Sequence, residues 1–499
     1  MMPIPLDRSC DVSLQEQIYN YIRNRVTEGA LPAGKRLPAT RALAEGLQVS
    51  RNTAVLAYDR LLAEGYVEAR SAHGTFVAKI TGTPHLRRHD PVTPEAAPPI
   101  DDDEARQWTE PPMRTSGDLR PAFDFWYGRT DPRLFPARIW RTIGAEVLGA
   151  CATGLSEYGT ICGDPDLRRA IADHLATTRG INAQRDQIIV TTGAQEALNL
   201  IARLFVGHDS AVALETPGYA AAAQVFEAYG GQLFSCPLDQ NGLDPALLRG
   251  IRPKLTFVTP SHQFPTGVVM SLERRHALIR HCAQHGGLIV EDDYDSDIVF
   301  ERAPVAAITA IDGLQRTVYV GSFSKSLGSG LRLGYVVMPT RFMQVAQAAK
   351  SLMSYGQSWL DQQILARFMT SGRYLRHLRR LRVSYRARRD ATIDGLLATF
   401  GDECKIAGSE TGVHLCCTLP SHGPDADAVG ARARSLGVGL YSLAVCGVRT
   451  DSADTSRSLV VGYAGLTPKE IGQAFARLKA ATADGQGPAP SAELVARGQ

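Results

Sequence analysis

The chain has 499 residues, 44% of them hydrophobic and 21% charged, and its formal net charge is +3, so any nucleic-acid site must depend on local features. Its nine cysteines, an odd number without a Cys-x-x-Cys pair, favour reduced thiols over disulfides or zinc. No apolar run reaches membrane-spanning length and the first residues lack the regions of a signal peptide, so we expect a cytoplasmic protein without a membrane partner.

The first eighty residues predict three helices and a hairpin. Apolar residues recur at helical spacing over 12–27, and Ser13 is the expected N-cap. A short helix over 41–46, a tight turn and a longer helix with Ser50 as its expected N-cap predict a helix-turn-helix. The alternating pattern over 66–77 then predicts a hairpin that would form a wing.

The N-terminus of the last helix carries side chains that suit DNA, because arginine can read guanine, asparagine can read adenine and hydroxyls can hold phosphates. The region from Ser13 to Val77 resembles the winged helix of GntR-type repressors, including its G-x-x-L-P-x-x-R-x-L-A and V-S-R-N-T-V/A motifs. A small helical domain for protein contacts is the alternative. The resemblance implies that a double-stranded DNA operator is contacted by Arg41, Ser50, Arg51, Asn52, Thr53, His73 and Gly74.

The composition changes after this unit. Prolines surround an acidic cluster at 101–104 without any apolar periodicity, which predicts an extended linker over 81–120. We therefore expect a DNA-binding domain at 1–80, the linker, a large domain at 121–484 and a flexible tail at 485–499.

From Phe123 onward, helical stretches alternate with short apolar strands. The strands are predicted at 187–191, 211–214, 255–259, 287–290 and 317–320. Apolar strands separated by helices indicate an α/β fold with a mostly parallel sheet covered on both faces, whose ligand site lies at the carboxyl ends of the strands.

A chemically distinctive loop follows each of these strands. The five loops contain the glycine turn at 192–198, Tyr219, the turn at 260–267, the acidic run at 291–294 and Lys325. Each has an ordinary structural explanation by itself, and Lys325 alone could be a solvated lysine in a serine-glycine loop. Together they predict one site, in which Lys325 forms a Schiff base and Arg332 grips a phosphate.

Residues 123–480 resemble a fold-type I, class I aminotransferase domain, and the whole chain is similar to the MocR/GabR family of transcriptional regulators. The resemblance implies a smaller C-terminal α/β subdomain and the cofactor pyridoxal 5′-phosphate (PLP), bound to Lys325 as an internal aldimine. Asp292 would hold the pyridine nitrogen, Tyr294 the ring phenolate, and Tyr219 would stack on the ring. The phosphate would be held by Gly193, Ala194, Ser322 and Arg332, and by Tyr158 from a partner subunit, which implies a homodimer.

The sequence departs from the aminotransferase pattern at two places. Phe264 stands where these enzymes usually carry an asparagine that contacts the cofactor, which argues against efficient transamination. Val460 stands where they carry an arginine for the substrate carboxylate. Arg449 and Arg457 lie nearby and are the candidates for effector binding.

A basic run of eight arginines lies between 373 and 389, on a predicted long helix with the apolar stripe Leu375, Leu378, Leu381 and Tyr385. It could form a second DNA surface, but a solvated structural face is favoured.

The sequence thus predicts a PLP-dependent, DNA-binding transcriptional regulator that senses an amine, an amino acid or PLP itself. The alternative is a catalytically active aminotransferase with an auxiliary DNA-binding domain. The sequence does not decide whether the protein catalyses transamination. A repressor whose large domain only dimerises is disfavoured, because dimerisation needs neither Lys325 nor Asp292.

Overall fold

The computed structural model describes residues 3–10, 12–70, 73–79, 120–150, 153–300, 305–450 and 453–483. The chain divides into two compact units, Met1–Thr109 and Glu110–Gln499. Apart from residue 120, the predicted linker and the predicted tail lie outside the described residues. Within the described ranges, no helix is both long and apolar enough to cross a membrane.

The first unit is a three-helix bundle with a two-stranded hairpin. Its elements are α1 (Leu14–Thr27), α2 (Thr40–Leu47), α3 (Arg51–Ala63), β1 (Val67–Arg70) and β2 (Gly74–Val77). The side chains of Ser13 and Ser50 accept hydrogen bonds from backbone N–H groups in the first turns of α1 and α3, so both predicted N-caps are confirmed. The strands pair antiparallel with Arg70 opposite Gly74, as the alternating pattern predicts.

The second unit is built from alternating helices and strands. Its helices are α4 (Ala137–Ala150), α5 (Pro165–Arg179), α6 (Ala194–Phe205), α7 (Ala220–Ala228), α8 (Leu272–His285), α9 (Ile308–Asp312), α10 (Thr340–Met353), α11 (Trp359–Thr370), α12 (Arg373–Phe400), α13 (Ala426–Ser435) and α14 (Pro468–Ala483). Its strands are β3 (Phe123–Asp124), β4 (Ile188–Thr191), β5 (Ser210–Thr216), β6 (Gly218–Tyr219), β7 (Gly231–Asp239), β8 (Gly242–Leu243), β9 (Leu255–Val258), β10 (Leu288–Asp293), β11 (Thr317–Ser322), β12 (Gly334–Val337), β13 (Lys405–Ala407), β14 (His414–Thr418), β15 (Val438–Gly439), β16 (Tyr441–Ser442), β17 (Val448–Arg449) and β18 (Ser458–Gly462).

The main sheet has eight strands in the order β4-β12-β11-β10-β9-β5-β7-β8. The five adjacent strands β11, β10, β9, β5 and β7 run parallel to one another. The strand β12 runs antiparallel to both β11 and β4. All five predicted strands are therefore confirmed. The sequence analysis did not predict β7, which contains Pro237, or the short strand β12, which follows the Lys325 loop.

A smaller antiparallel sheet, in the order β13-β14-β18-β16, forms the C-terminal subdomain. Two short pairings tie distant parts of the chain to this region. β3 pairs parallel with β15, and β6, which ends at Tyr219, pairs antiparallel with β17. These pairings bring Tyr219 and the residues after β3 close to the C-terminal segments.

The predicted apolar stripe of the long helix α12 needs one correction. Leu375 is 42% exposed, whereas Tyr374, Leu378, Leu381 and Tyr385 are buried. The stripe begins one residue earlier than predicted, because a start at residue 374 puts these four buried side chains in phase with the 3.6-residue repeat.

Four of the eight arginines of α12 bind backbone carbonyls or a buried carboxylate of the same unit. Arg382 donates to the backbone carbonyl of Asp297, and Arg386 donates to that of Phe300. The buried Arg388 pairs with Asp131 at 2.7 Å, and Arg389 donates to the backbone carbonyl of Ser409. These contacts favour the structural interpretation of the basic run over a second DNA surface.

Candidate functional site

The strand ends of the main sheet bring the predicted site residues together. Asp292 lies opposite Val320 in the parallel β10–β11 pair, so the loop that carries Lys325 begins beside the acidic run. β12 then returns between β11 and β4, with Gly334 opposite both Ser322 and Thr191. The glycine turn after β4 therefore lies beside the residues that follow β11.

The glycine turn and Arg332 form a cradle for an anion. Gly193 is the N-cap of α6 with φ of 84°, and a Cβ at this position would lie 3.3 Å from the Arg332 guanidinium. A Cβ at Gly334 would lie 2.8 Å from the Cα of Gly193. Arg332 donates to the carbonyl of Thr192 at 2.7 Å. With Ala194 as the first helical residue, the free N–H groups of a helix N-terminus and one cation lie together, which suits an anion such as a phosphate. We call this site the phosphate cup.

Ser322 lies opposite Gly334, which in turn lies against Gly193 of the cup. Its hydroxyl donates to Ser324 Oγ at 2.9 Å and accepts from the Ser324 backbone N–H at 3.1 Å. These bonds fix the start of the loop that leads to Lys325.

The half-buried Lys325 and the buried Asp292 both have shifted pKa values. Burial lowers the pKa of Lys325, although the charges of Asp295 and Asp292 oppose the shift. Burial, with the charges of Asp293 and Asp295, raises the pKa of Asp292 to about 7, although Lys325 opposes it. Lys325 is thus biased toward the neutral amine, which is the nucleophilic form.

Asp292 also has an unsatisfied oxygen. The residue is 5% exposed, and its buried Oδ1 has no hydrogen-bond partner among the residues that the structure describes. Burying a carboxylate oxygen without a hydrogen-bond donor costs free energy. We therefore expect a bound molecule to donate a hydrogen bond to this atom. The protonated ring nitrogen of PLP is such a donor, and the phosphate cup suits the other end of that molecule.

Aromatic rings enclose the space around Lys325. The Lys325 Nζ lies 5.9 Å from the ring centroid of Tyr127, which in turn lies 4.8 Å from that of Phe264. Phe264 contacts Tyr219 edge-on at 5.9 Å and Tyr294 at 6.5 Å. The sequence analysis did not identify Tyr127, because β3 and the residues after it reach the site only through the pairing with β15.

Tyr294 leads to a buried polar cluster that the sequence analysis also missed. Its hydroxyl donates to the carbonyl of His262 at 2.9 Å. The His262 Nδ1 lies 2.9 Å from Asp295 Oδ2, and the ring of His414 stacks at a tilt 4.5 Å from that of His262. These three buried residues come from three separate stretches of chain, so no local pattern indicates them.

Of the two effector arginines proposed from the sequence, only Arg449 lies at the site. It lines a cavity together with Glu215, Tyr219 and Thr259. Burial raises the pKa of Glu215 to about 7, although bonds from Thr259 and Gln263 oppose the shift. The Arg449 guanidinium makes no ion pair with any acid in the described part of the chain.

Arg457 has a different place. Its guanidinium donates to the backbone carbonyls of Pro420, His422, Gly423 and Pro424, so it holds the loop before α13. The structure does not bring Arg457 to the cavity that Arg449 lines.

Tyr158 stands on the surface. Its side chain is 86% exposed, and its ring contacts that of Tyr355 at 5.2 Å. Five further large apolar side chains of the described part of this unit are more than half exposed, namely Leu155, Val345, Leu352, Tyr355 and Val383.

The first unit presents the predicted DNA-binding residues at the N-terminus of α3 and at the wing. Arg51 and Asn52 are exposed, while the hydroxyls of Ser50 and Thr53 bond to each other at 2.8 Å. Arg41, at the start of α2, is exposed and pairs with Glu45.

The wing turn contains His73 and Gly74. The backbone N–H of His73 donates to the carbonyl of Arg70. Gly74 has φ of 102°, and a Cβ there would lie 3.2 Å from Arg36 Nε, so the turn requires glycine.

Known families match both units. Residues 14–77 match the bacterial regulatory proteins of the gntR family, and residues 143–478 match aminotransferase class I and II. The chain is 32% identical to the probable rhizopine catabolism regulatory protein MocR of Rhizobium meliloti, over 95% of each chain. The chain belongs to the MocR-type family of GntR regulators.

Other comparisons agree with this family. The pyridoxine biosynthesis transcriptional regulator PdxR of Corynebacterium glutamicum is 31% identical over 84% of this chain and 86% of its own. Among solved structures, Pyrococcus horikoshii kynurenine aminotransferase in complex with PMP matches with a TM-score of 0.66 and 27% identity. That match covers 75% of this chain and 93% of the enzyme.

As a member of the MocR-type family, the chain is a PLP-dependent transcriptional regulator with an aminotransferase-like domain. The site fits the cofactor at both ends, through the unpartnered Asp292 oxygen and the phosphate cup. Its GntR-type domain binds DNA.

Proposed function

We propose that the large domain of this regulator is a sensor for a small molecule that carries an amine and an anionic group. The observation that carries the proposal is the position of Lys325, between the buried Asp292 and an aromatic enclosure, with the Arg449 cavity adjoining Tyr219. When bound, PLP supplies an aldehyde that reacts with amines and a ring that withdraws electrons.

The residues of the site have separate roles in this proposal. Lys325 Nζ, biased toward the neutral amine, attaches the cofactor. Asp292 would accept a hydrogen bond from the protonated ring nitrogen, Tyr294 would contact the ring phenolate, and Tyr219 would stack on the ring. The cup residues Gly193, Ala194, Ser322 and Arg332 hold the phosphate.

Arg449 is the reason that we propose an anionic group on the effector. A guanidinium that pairs with no acid in the described part of the chain, beside a cavity, suits a carboxylate or a sulfonate. Because the neighbouring Glu215 has a raised pKa, it competes less for Arg449 than an ordinary carboxylate would. An effector with both groups could then reach Lys325 and Arg449 together.

We further propose that the regulator acts as a homodimer. Tyr158 is exposed far beyond what a large aromatic side chain usually shows, and Leu155, Val345, Leu352 and Tyr355 extend the apolar surface on the same unit. An exposed apolar surface of this kind supports burial against a second copy, in which Tyr158 would reach the partner's phosphate cup.

For DNA, we propose that Arg51 and Asn52 read bases in the major groove of an operator while Arg41 and the hydroxyls of Ser50 and Thr53 contact phosphates. The exposed N-terminus of α3 supports this role. His73 and Gly74 would bring the wing to the adjacent groove.

The alternative function is a working aminotransferase. The buried side chain of Phe264 packs among Tyr127, Tyr219 and His414. Because phenylalanine cannot donate a hydrogen bond to the cofactor, this residue argues against efficient transamination. We expect the cofactor reaction with an amine to be slow or incomplete, which suits a sensor.

The test adds candidate amino acids and amino-sulfonates to the PLP-loaded protein and follows both the cofactor absorbance and operator binding. An effector should change both signals, and Arg449→Gln should remove the response while Arg434→Gln, an exposed arginine of the same subdomain, should keep it. Rapid conversion to the pyridoxamine form without any change in operator affinity would favour the enzyme.

A further inference from the structure

One carboxylate links the phosphate cup to the exposed tyrosine surface. Glu196 lies in the first turn of α6, directly after the cup. Its Oε2 accepts the backbone N–H of Thr192 at 2.6 Å and the Thr192 hydroxyl at 2.8 Å. The carbonyl of Thr192 in turn accepts from Arg332. Glu196 therefore holds the residue that lies directly against the cup's arginine.

The same carboxylate holds the segment after α10. Its Oε1 accepts from Lys350 Nζ and from the Ser354 hydroxyl, both at 2.7 Å, and its Oε2 also accepts from the Gln357 amide at 2.8 Å. Lys350 is wholly buried. The segment 354–357 contains Tyr355, which has φ of 53° and contacts the ring of Tyr158.

Glu196 accepts five hydrogen bonds that converge from two different segments. One segment forms the cup and the other carries Tyr355. Because the carboxylate is a rigid plane, a displacement of Thr192 changes the geometry of the bonds to Ser354 and Gln357.

We propose that Glu196 is a positioning residue that couples anion occupancy of the phosphate cup to the arrangement of the Tyr158–Tyr355 surface. The inference rests on the proposed homodimer, in which this surface is the interface. An anion in the cup competes with the Thr192 carbonyl for the Arg332 guanidinium, and the released Thr192 shifts against Glu196. Glu196 transmits that shift to the segment 354–357. Cofactor binding and self-association are then linked, and each strengthens the other.

Self-association of the full-length chain, measured by analytical ultracentrifugation with and without PLP, tests the inference. PLP should tighten the wild-type dimer by about tenfold, within the usual range of coupling between sites. Glu196→Gln and the milder Ser354→Ala should still take up PLP, as the cofactor absorbance reports, but the tightening should fall below about threefold.

Hydrogen exchange gives a second measurement. If Glu196 only stabilised the fold, its substitution would not change the effect of PLP on amide exchange. In the wild type, PLP should slow amide exchange in the segment 354–357, and in Glu196→Gln it should not. The matched control is Arg388→Met, which removes another buried ion pair, the one with Asp131. It should lower the melting temperature and leave both PLP effects in place.

The outcomes separate this inference from the proposed function. A wild-type chain that stays monomeric at all concentrations overturns the homodimer and the inference with it. A dimer that PLP tightens equally in the wild type and in both variants overturns the role of Glu196 alone. Loss of the PLP effects in Arg388→Met as well would assign them to general destabilisation and would also overturn that role.

Discussion

At the scale of single residues, the site depends on two ionisable side chains, Lys325 and Asp292, whose pKa values are shifted in opposite directions. Burial lowers the pKa of Lys325 and raises that of Asp292 to about 7. Each shift has a chemical consequence, because the lysine becomes a better nucleophile and the carboxyl becomes a group that needs a proton donor.

Lys325→Ala should abolish covalent attachment of PLP. The wild-type protein should show the absorbance of the bound cofactor, and borohydride should fix the cofactor to a peptide that contains residue 325. The control Lys405→Ala changes an exposed lysine and should behave like the wild type. If borohydride still fixed the cofactor to the Lys325→Ala protein, another lysine would be the site of covalent attachment.

Asp292→Asn should change how the stability of the cofactor-free protein depends on pH. Because the folded pKa of about 7 lies above the unfolded value, Asp292 favours the folded state at low pH. That contribution disappears as the pH rises through about 7, and three pKa units correspond to at most about 4 kcal/mol. The free energy of unfolding should therefore fall less from about pH 5 to 8 in the variant than in the wild type.

Urea unfolding at the two pH values provides this measurement. Glu215 has a similarly raised pKa and is present in both proteins, so the difference between the two proteins reports Asp292 together with its interaction with Glu215. PLP should restore more stability to the wild type than to the variant. An identical pH dependence in the two proteins would mean that Asp292 ionises normally in the folded state.

At the scale of elements, α3 concentrates the sequence-reading side chains in its first turn. Ser50 caps the helix by accepting from the Thr53 backbone N–H at 3.1 Å, which leaves Arg51 and Asn52 exposed at its N-terminus. The capping bonds fix the backbone from which these two side chains extend.

Arg51→Ala should weaken operator binding by about ten- to a hundredfold, since one lost bidentate base contact costs about 1–3 kcal/mol. Binding to unrelated DNA should weaken much less. Arg25→Ala, which changes an exposed arginine of α1, is the matched control and should affect neither. Equal losses on operator and unrelated DNA in fluorescence anisotropy would make Arg51 a phosphate contact.

At the scale of the whole molecule, the exposed Tyr158 makes each cofactor site dependent on a second copy in our proposal. Tyr158→Ala should therefore weaken PLP binding although Lys325 is intact. Mixed dimers of Tyr158→Ala and Lys325→Ala contain one site with both native residues. An equal mixture should recover native PLP binding at about one quarter of all sites.

Titration of the mixture with PLP measures that recovery, and the unmixed variants are the controls. Recovery requires subunit exchange, so the mixture is refolded together before the titration. A mixture that binds no better than the average of its components would show that Tyr158 acts within its own chain.

The sequence by itself determined the local features of this protein. The capping serines of α1 and α3, the five apolar strands and the loops after them follow from neighbouring residues, and the structure confirms them. Because parallel strands align their carboxyl ends, strand order along the chain was enough to predict that Lys325, Asp292 and Gly193 share one edge of the sheet.

Only the tertiary structure decided which other residues complete the site. Tyr127 reaches Lys325 through the β3–β15 pairing, and His262, Asp295 and His414 meet from three stretches. Arg449 rather than Arg457 adjoins Tyr219, because β17 pairs with β6. Glu196 and Lys350 are 154 positions apart in the chain. Local periodicity records only which face of an element is buried, so contacts between elements that are far apart in sequence leave no such signal.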